Sequence, residues 1–237
     1  MAKIDKTQYT KAEWKQIREQ RRRDKRIAQI KKHPAYHPDK REKIAFVLGN
    51  GTSRSSIPIE DISPFGKVYA CNAVYRTFNP DYLIAVDVKM ILEINKAGYQ
   101  HKNEVWTNPN KAYHSMKNLN FFSPSKGWSS GPTALWLASQ HFYEEIFILG
   151  FDFRGLSEGR IFNNIYADTP NYKKSSDSAT FFGNWMRQTI SVVKDNPEIT
   201  FTRVIAPDNY CPEELNKFDN LKTITVEDFK KMFNISC

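Results

Sequence analysis

Five consecutive apolar residues, Ile44-Ala45-Phe46-Val47-Leu48, run directly into Gly49-Asn50-Gly51-Thr52-Ser53-Arg54. An unbroken apolar run of this length predicts a strand covered on both faces, as in parallel sheets packed between helices. Two glycines in the following turn permit positive φ and a close approach of the backbone to a ligand. Peptide N–H groups together with the hydroxyls of Thr52 and Ser53 suit a phosphate, in the position where α/β folds hold nucleotides. The turn is neither the dinucleotide glycine fingerprint nor a Walker loop with its lysine, so a plain strand-to-loop turn is the competing reading.

Strand-like and helix-like stretches alternate after this point, which predicts an α/β fold with a mostly parallel sheet and helices on its faces. Further strands are expected at Lys67–Cys71, Tyr82–Val86, Glu104–Thr107, Asn120–Phe122, Glu145–Gly150 and Ile199–Ile205. Helices are expected at Lys89–Ala97, from Ser129-Ser130-Gly131-Pro132 through Tyr143, at Ala179–Val193 and at Val226–Phe233. Residues 154 to 180 are polar and lose apolar periodicity; a loop this long inside a domain reads as a lid over a substrate.

Charge divides the 237 residues in two. Residues 1–43 hold fifteen of the 35 Lys and Arg and six of the 26 Asp and Glu, so residues 44–237 carry twenty of each sign. The whole net charge of +9 sits on the arm. Thr10 to Lys32 lacks Gly and Pro and reads as one solvated helix, with Thr10 and Glu13 forming a capping box; His33-Pro34 through Pro38 is a linker. Arg18, Arg21, Arg22, Arg23, Lys25 and Arg26 would contact nucleic acid, or else the helix packs on a partner subunit in a homo-oligomer. No apolar run reaches the roughly 18 residues of a membrane span. Cys71, Cys211 and Cys237 show neither disulfide-framework nor zinc spacing, and the expectation is a protein of the reducing cytoplasm, the host cell's if the chain is viral.

In open parallel sheets ligands bind beyond the carboxyl ends of the strands. The residues there are Gly49 to Ser53, Asn72, Asp87 and Asp152, and the Ser129-Ser130-Gly131 turn adds a helix N-terminus that favours an anion. Together they describe a site for a nucleotide phosphate. Each has a blander reading: Asn72 as a turn residue, Asp87 and Asp152 as turn or cap carboxylates, Ser130 as a helix cap. Arg54 and Arg76 follow strand ends and either neutralise phosphates or are simply exposed.

Gly49-Asn50-Gly51-Thr52-Ser53, Cys71-Asn72-Ala73-Val74-Tyr75, Ser130-Gly131 and Ile146-Phe147-Ile148-Leu149-Gly150-Phe151-Asp152-Phe153 occur in an order that resembles the bacterial oligosaccharide sialyltransferases. The same segments are similar to a group of bacteriophage proteins and, more distantly, to archaeal-type pterin pyrophosphokinases. The resemblance spans roughly residues 44–155 and implies a Rossmann-like glycosyltransferase domain. It implies that Asn50, Ser53, Asn72, Ser130 and Gly131 contact a nucleotide and that Tyr166 reaches phosphate from the lid. The family's general-base histidine, within Gly-His-Ser, has no counterpart: the nearest segment is Phe182-Gly183-Asn184-Trp185, and no histidine occurs after Arg154. Asp87 and Asp152 therefore become the candidate bases, or the ligands of a Mg²⁺ or Mn²⁺ ion on a diphosphate.

The expected function is a glycosyltransferase that takes a sugar from a nucleotide-activated donor to a hydroxyl acceptor, with a hydroxylated base in phage DNA as the acceptor the arm suggests. The alternatives are a Mg-dependent diphosphotransferase acting on a small heterocycle and a non-catalytic nucleic-acid or virion-associated binding protein. The DNA reading predicts an affinity that falls steeply with salt and disappears when residues 1–43 are deleted. A fluorescence-anisotropy titration across a salt series tests it, and an affinity untouched by the deletion would sink it.

Overall fold

The structure is a computed structural model that describes residues 9–11, 13–15, 17, 18, 21, 43–206 and 210–235. Its centre is one sheet of eight strands in the order β5-β4-β3-β2-β1-β6-β7-β8, every neighbouring pair parallel. The strands are β1 (Ile44–Leu48), β2 (Lys67–Cys71), β3 (Tyr82–Ile84), β4 (Val105–Thr107), β5 (Asn120–Phe121), β6 (Glu145–Leu149), β7 (Thr200–Ile205) and β8 (Leu221–Thr225). The principal helices are α1 (Ile59–Ile62), α2 (Val88–Lys96), α3 (Ser130–Ser139), α4 (Gly183–Asp195) and α5 (Val226–Met232).

Alternation along the strands builds two cores. Phe46, Leu48, Phe147 and Leu149 face α1, α2 and α5, where they meet Ile62, Ile91, Ile94 and Phe229. Ala45, Val47, Ile146 and Ile148 face α3 and α4, where Leu135, Ala138, Val192 and Val193 cover them. Helices on both faces leave the central strands no solvent side, which accounts for their continuous apolar sequence. This is the Rossmann-like α/β architecture expected.

The differences from expectation are local. β8 has no strong strand signal because it is an edge: Lys222 and Thr223 are exposed, and the chain turns at once into α5, capped by the Thr225 hydroxyl accepting from the Asp228 N–H. The third strand stops at Ile84. α3 ends at Ser139, and Phe142 beyond it adopts positive φ. α4 starts at Gly183, four residues later than expected.

At the arm, the Glu13 carboxylate accepts from the Thr10 N–H and hydroxyl, both at 2.8 Å, and Glu13 N–H donates back to Thr10 Oγ1 at 3.3 Å, the predicted capping box. Arg18 and Arg21 are exposed helical residues; Arg22, Arg23, Lys25, Arg26 and the His33–Pro38 linker lie outside the described residues. Among the described residues no helix is long and apolar enough to cross a membrane.

Arg76 does not neutralise a ligand. Its guanidinium forks onto Glu93 of α2, with Nε to Oε1 and Nη2 to Oε2 both at 2.7 Å, and its remaining donors reach Thr169 Oγ1 at 2.8 Å and the Pro170 carbonyl at 2.9 Å. Tyr75 and Asn171 also donate to Glu93, each at 2.6 Å. Residues 169–171 of the lid are thereby fastened to α2. The Arg76 hydrogen bonds hold Glu93 down at about 2, below its ordinary 4.5. A carboxylate depressed in the fold contributes stability above about pH 4.5 and loses it as pH falls toward 2, on the order of 2–3 kcal/mol. Urea unfolding should show Glu93→Gln destabilised at pH 7, with the gap to the parent closing between pH 4.5 and 2. A gap independent of pH would contradict this.

Candidate functional site

The chain moves outward from β1 to β5 and then returns to place β6 on the other side of β1. The β1–β6 pair is therefore the topological switch point, where the following loops part and leave a crevice. A cleft of about 510 Å³ opens there, within the size of small-molecule sites. Gly49, Asn50, Gly51, Asn72, Asp87, Ser129, Ser130, Gly131 and Asp152, all singled out in the sequence, line it. Thr52 and Ser53 do not; they face a neighbouring groove across Asp152 and Asn163.

The glycine turn is not an open phosphate cradle. Gly49 N–H donates to the Leu149 carbonyl at 2.8 Å and Gly51 N–H to the Gly150 carbonyl at 3.0 Å, continuing the β1–β6 ladder. Thr52 spends both its N–H and its hydroxyl on Asn163 Oδ1, at 2.9 Å each. Ser53 donates its N–H to Asp152 Oδ2 at 3.2 Å and its hydroxyl to Asp152 Oδ1. The Asn50 amide donates to the Cys71 carbonyl and the Tyr172 hydroxyl, and its carbonyl accepts from Arg54 Nη2. Arg54 is itself buried, its Nε on the Gly49 carbonyl, so it supports the turn from beneath. The sequence reading of Thr52 and Ser53 as ligand contacts is corrected accordingly: the fold supplies its own anion.

That anion is Asp152, 6% exposed, which accepts additionally from Asn163 Nδ2 at 2.9 Å. Three protein groups already occupy its oxygens, so it is ill suited to take a proton or to hold a metal ion. Tyr166 is corrected as well: it lies in the core against Tyr172, whose ring centre is 5.7 Å away, and does not reach the cleft. Tyr172 touches the strand ends from the lid, its hydroxyl accepting from Asn50 Nδ2 and from the Ala73 N–H.

At the other wall the groups are poised rather than spent. Ser130 Oγ accepts from the Val86 N–H at 3.1 Å and donates to Asn72 Oδ1 at 2.9 Å. Asn72 is held at positive φ, and with its carbonyl oxygen fixed on Ser130 its NH₂ is left without a protein acceptor among the described residues. Ser130 and Gly131 open α3, and the Ser129 side chain does not cap it. Their N–H groups have no protein acceptor among the described residues, so the helix presents two free donors and the positive end of its dipole. Asp87 occupies the N-cap position of α2; its carbonyl accepts from the Met90 and Ile91 N–H groups, while its carboxylate makes no capping hydrogen bond and is bonded to no described group in the cleft. The bland readings of Ser130 and Asp87 as caps fail for the same reason: neither side chain caps its helix.

Trp128, Phe153, Phe182 and Trp185 make an aromatic wall on the β6 side, and Arg154 is the cation among the described cleft residues. Asn163 and Asn108 were not picked out from sequence. Asn163 had only the polarity of its segment to signal it, and its role depends on a fold contact with Asp152. The strands carrying Asp87 and Asp152 are three spacings apart, about 14 Å, so the two carboxylates stand on different parts of the cleft. Among the described residues no group of three or more His, Cys, Asp or Glu is placed to hold a metal ion. Comparison with protein-family models, curated proteins and solved structures finds no match to this chain.

Gly51 is required by Asp152: a Cβ there would lie 2.4–2.7 Å from the three carboxylate atoms. Gly51→Ala should cost more than about 2 kcal/mol in urea unfolding. The cost should shrink in an Asp152→Ala background; an equal cost in both backgrounds would place the strain elsewhere.

Proposed function

We propose that this chain is a glycosyltransferase that moves a neutral sugar from a nucleotide-activated donor to a hydroxyl acceptor. The observation that carries the reading is the unbonded Asp87 carboxylate beside the free N–H groups of Ser130 and Gly131, joined through the Ser130–Val86 hydrogen bond. In this reading the nucleoside stacks on the aromatic wall, and the phosphate next to the sugar sits at the α3 N-terminus with the Asn72 amide. The acceptor oxygen attacks the anomeric carbon as the bond from that carbon to the phosphate oxygen breaks. The acceptor proton passes to Asp87, and the departing phosphate charge is met by the Ser130 and Gly131 N–H groups.

A Mg²⁺ or Mn²⁺ ion fits only as a shared ligand. Asp87 would supply one carboxylate and the donor's phosphates the rest, a common arrangement for Mg²⁺, and the ion would neutralise phosphate charge. Asp152 positions the β1–β6 loops and takes no part in proton transfer. The order of segments quoted for the sialyltransferase resemblance supports the same class of reaction, whereas an anionic sugar would meet Asp87. The exposed Arg18 and Arg21 support an acceptor carried on a polyanion such as DNA.

A thermal-shift screen against nucleotides and nucleotide sugars, with and without Mg²⁺ or Mn²⁺, tests the reading. A ligand at 100 times its Kd stabilises by about 2.7 kcal/mol. One nucleotide class should shift the melting temperature selectively, and Asp87→Asn should keep that shift while losing at least about 100-fold in turnover. No shift with any nucleotide, or full turnover in Asp87→Asn, would overturn it.

A further inference from the structure

We infer that the half of the body from α2 to β5 is the surface that carries the acceptor, and that it fits a single-stranded nucleic acid; the inference rests on the proposed transfer to an acceptor hydroxyl at Asp87. Residues 44–237 are neutral as a whole but not evenly so. Residues 88–127 hold six Lys against two acids, and the rest of the body holds fourteen basic residues against eighteen acids. From Val105 to Tyr143 there is no Asp or Glu at all. Lys89, Lys96, Lys102, Lys111, Lys117 and Lys126 are all exposed, and among the described residues none of them forms an ion pair. The two acids do not offset them at the cleft. Glu93 is committed to Arg76, and Glu104 directly precedes β4, at the end of the sheet away from the cleft, where it accepts from Trp106 Nε1 at 2.8 Å.

Three of the six edge the cleft on the side of Asp87. Lys89 stands two residues past Asp87 in the first turn of α2, Lys111 three past Asn108, and Lys126 directly before Gly127; Asp87, Asn108 and Gly127 all line the cleft. The Lys126 ammonium lies 5.2 Å from the ring centres of both Trp128 and Trp136, and the residue stays exposed. β5 is the edge strand on this side, and its Phe121 is 42% exposed. Cations along a rim with an exposed ring beside them suit a polynucleotide: each lysine neutralises a phosphate and releases counter-ions, and the ring stacks a base. The strand is single or locally opened, because a hydroxyl on a base stacked within a duplex does not reach a carboxylate inside a cleft. The excess of acids over the rest of the body confines a polyanion to this side.

The test is the binding of a labelled oligothymidylate of about 20 nucleotides to the full chain, read by fluorescence anisotropy across a salt series. The triple variant Lys89→Gln, Lys111→Gln, Lys126→Gln should bind at least about tenfold more weakly at low salt, with the slope of log K against log salt shallower by about 2, three phosphates at about 0.7 each. It should melt with the parent and keep the parent's thermal shift with nucleotides. A control, Lys194→Gln, Lys217→Gln, Lys222→Gln, removes the same charge from exposed positions on α4 and around β8 and should leave the slope unchanged. An unchanged slope in the first variant, or equal losses in the two, would overturn the surface. A lost nucleotide shift in the first variant would assign the rim to the donor and overturn it as well. Tighter binding of the matching duplex would overturn the single-strand assignment. A parent that does not bind the oligonucleotide would overturn the surface alone, since the nucleotide thermal shift judges the glycosyltransferase reading separately.

Discussion

The carboxylate of Asp152 stands where a glycine turn of this shape would hold its anion, and the β1–β6 junction is built around it. Gly51 has no side chain because the carboxylate occupies that space, and Ser53 and Asn163 donate to its oxygens. Beneath it the buried Arg203 guanidinium donates to the Phe151 carbonyl at 2.9 Å and to the Tyr210 carbonyl at 3.0 Å. A charge this deeply buried is tolerated because it is surrounded by donors. With the β1 loop satisfied from within, the unpaired polar groups among the described residues lie at the opposite wall, at the α3 N-terminus and Asp87.

The lid is tied to this arrangement along its length, with the Ile165 N–H donating to the Asn50 carbonyl at 2.8 Å. Asn163 bridges Thr52 and Asp152 near its start, and the Arg76–Glu93 fork holds Thr169 and Pro170 farther along. Just beyond those ties the Tyr172 ring packs against the first core, and its hydroxyl accepts from the Ala73 N–H just past β2. The lid is thus a packed wall of the cleft with its own hydrogen-bond framework, and the segment from Ala179 to Phe182 completes the wall before α4 begins.

The sheet was legible because central strands buried on both faces are apolar almost throughout; β1 and β2 match the expected strands residue for residue, and β6 ends one residue early, at Leu149. The location of the cleft was legible for a related reason: parallel strands all end on one side, so the polar residues after them converge. What each of those residues does there was not legible. Asp87 and Asp152 look alike in sequence, each following an apolar strand, and only the donors that surround Asp152 separate an internal counter-ion from a free carboxylate. Those donors come from Ser53 and Asn163, 99 and 11 residues away, and no local pattern announces them.

The position of β1 at the middle of the sheet has a consequence for the order of assembly. Ile44 pairs with Glu145, so the central ladder joins segments about a hundred residues apart, whereas the β1–β2 and β2–β3 ladders join near neighbours. During synthesis at about 5–20 residues per second, β1 has no β6 to pair with for roughly 5–20 s. One apolar edge of the growing sheet stays open for that interval, and closing it brings Asp152 to Gly51. The cleft is therefore among the last features of the nascent chain to take shape.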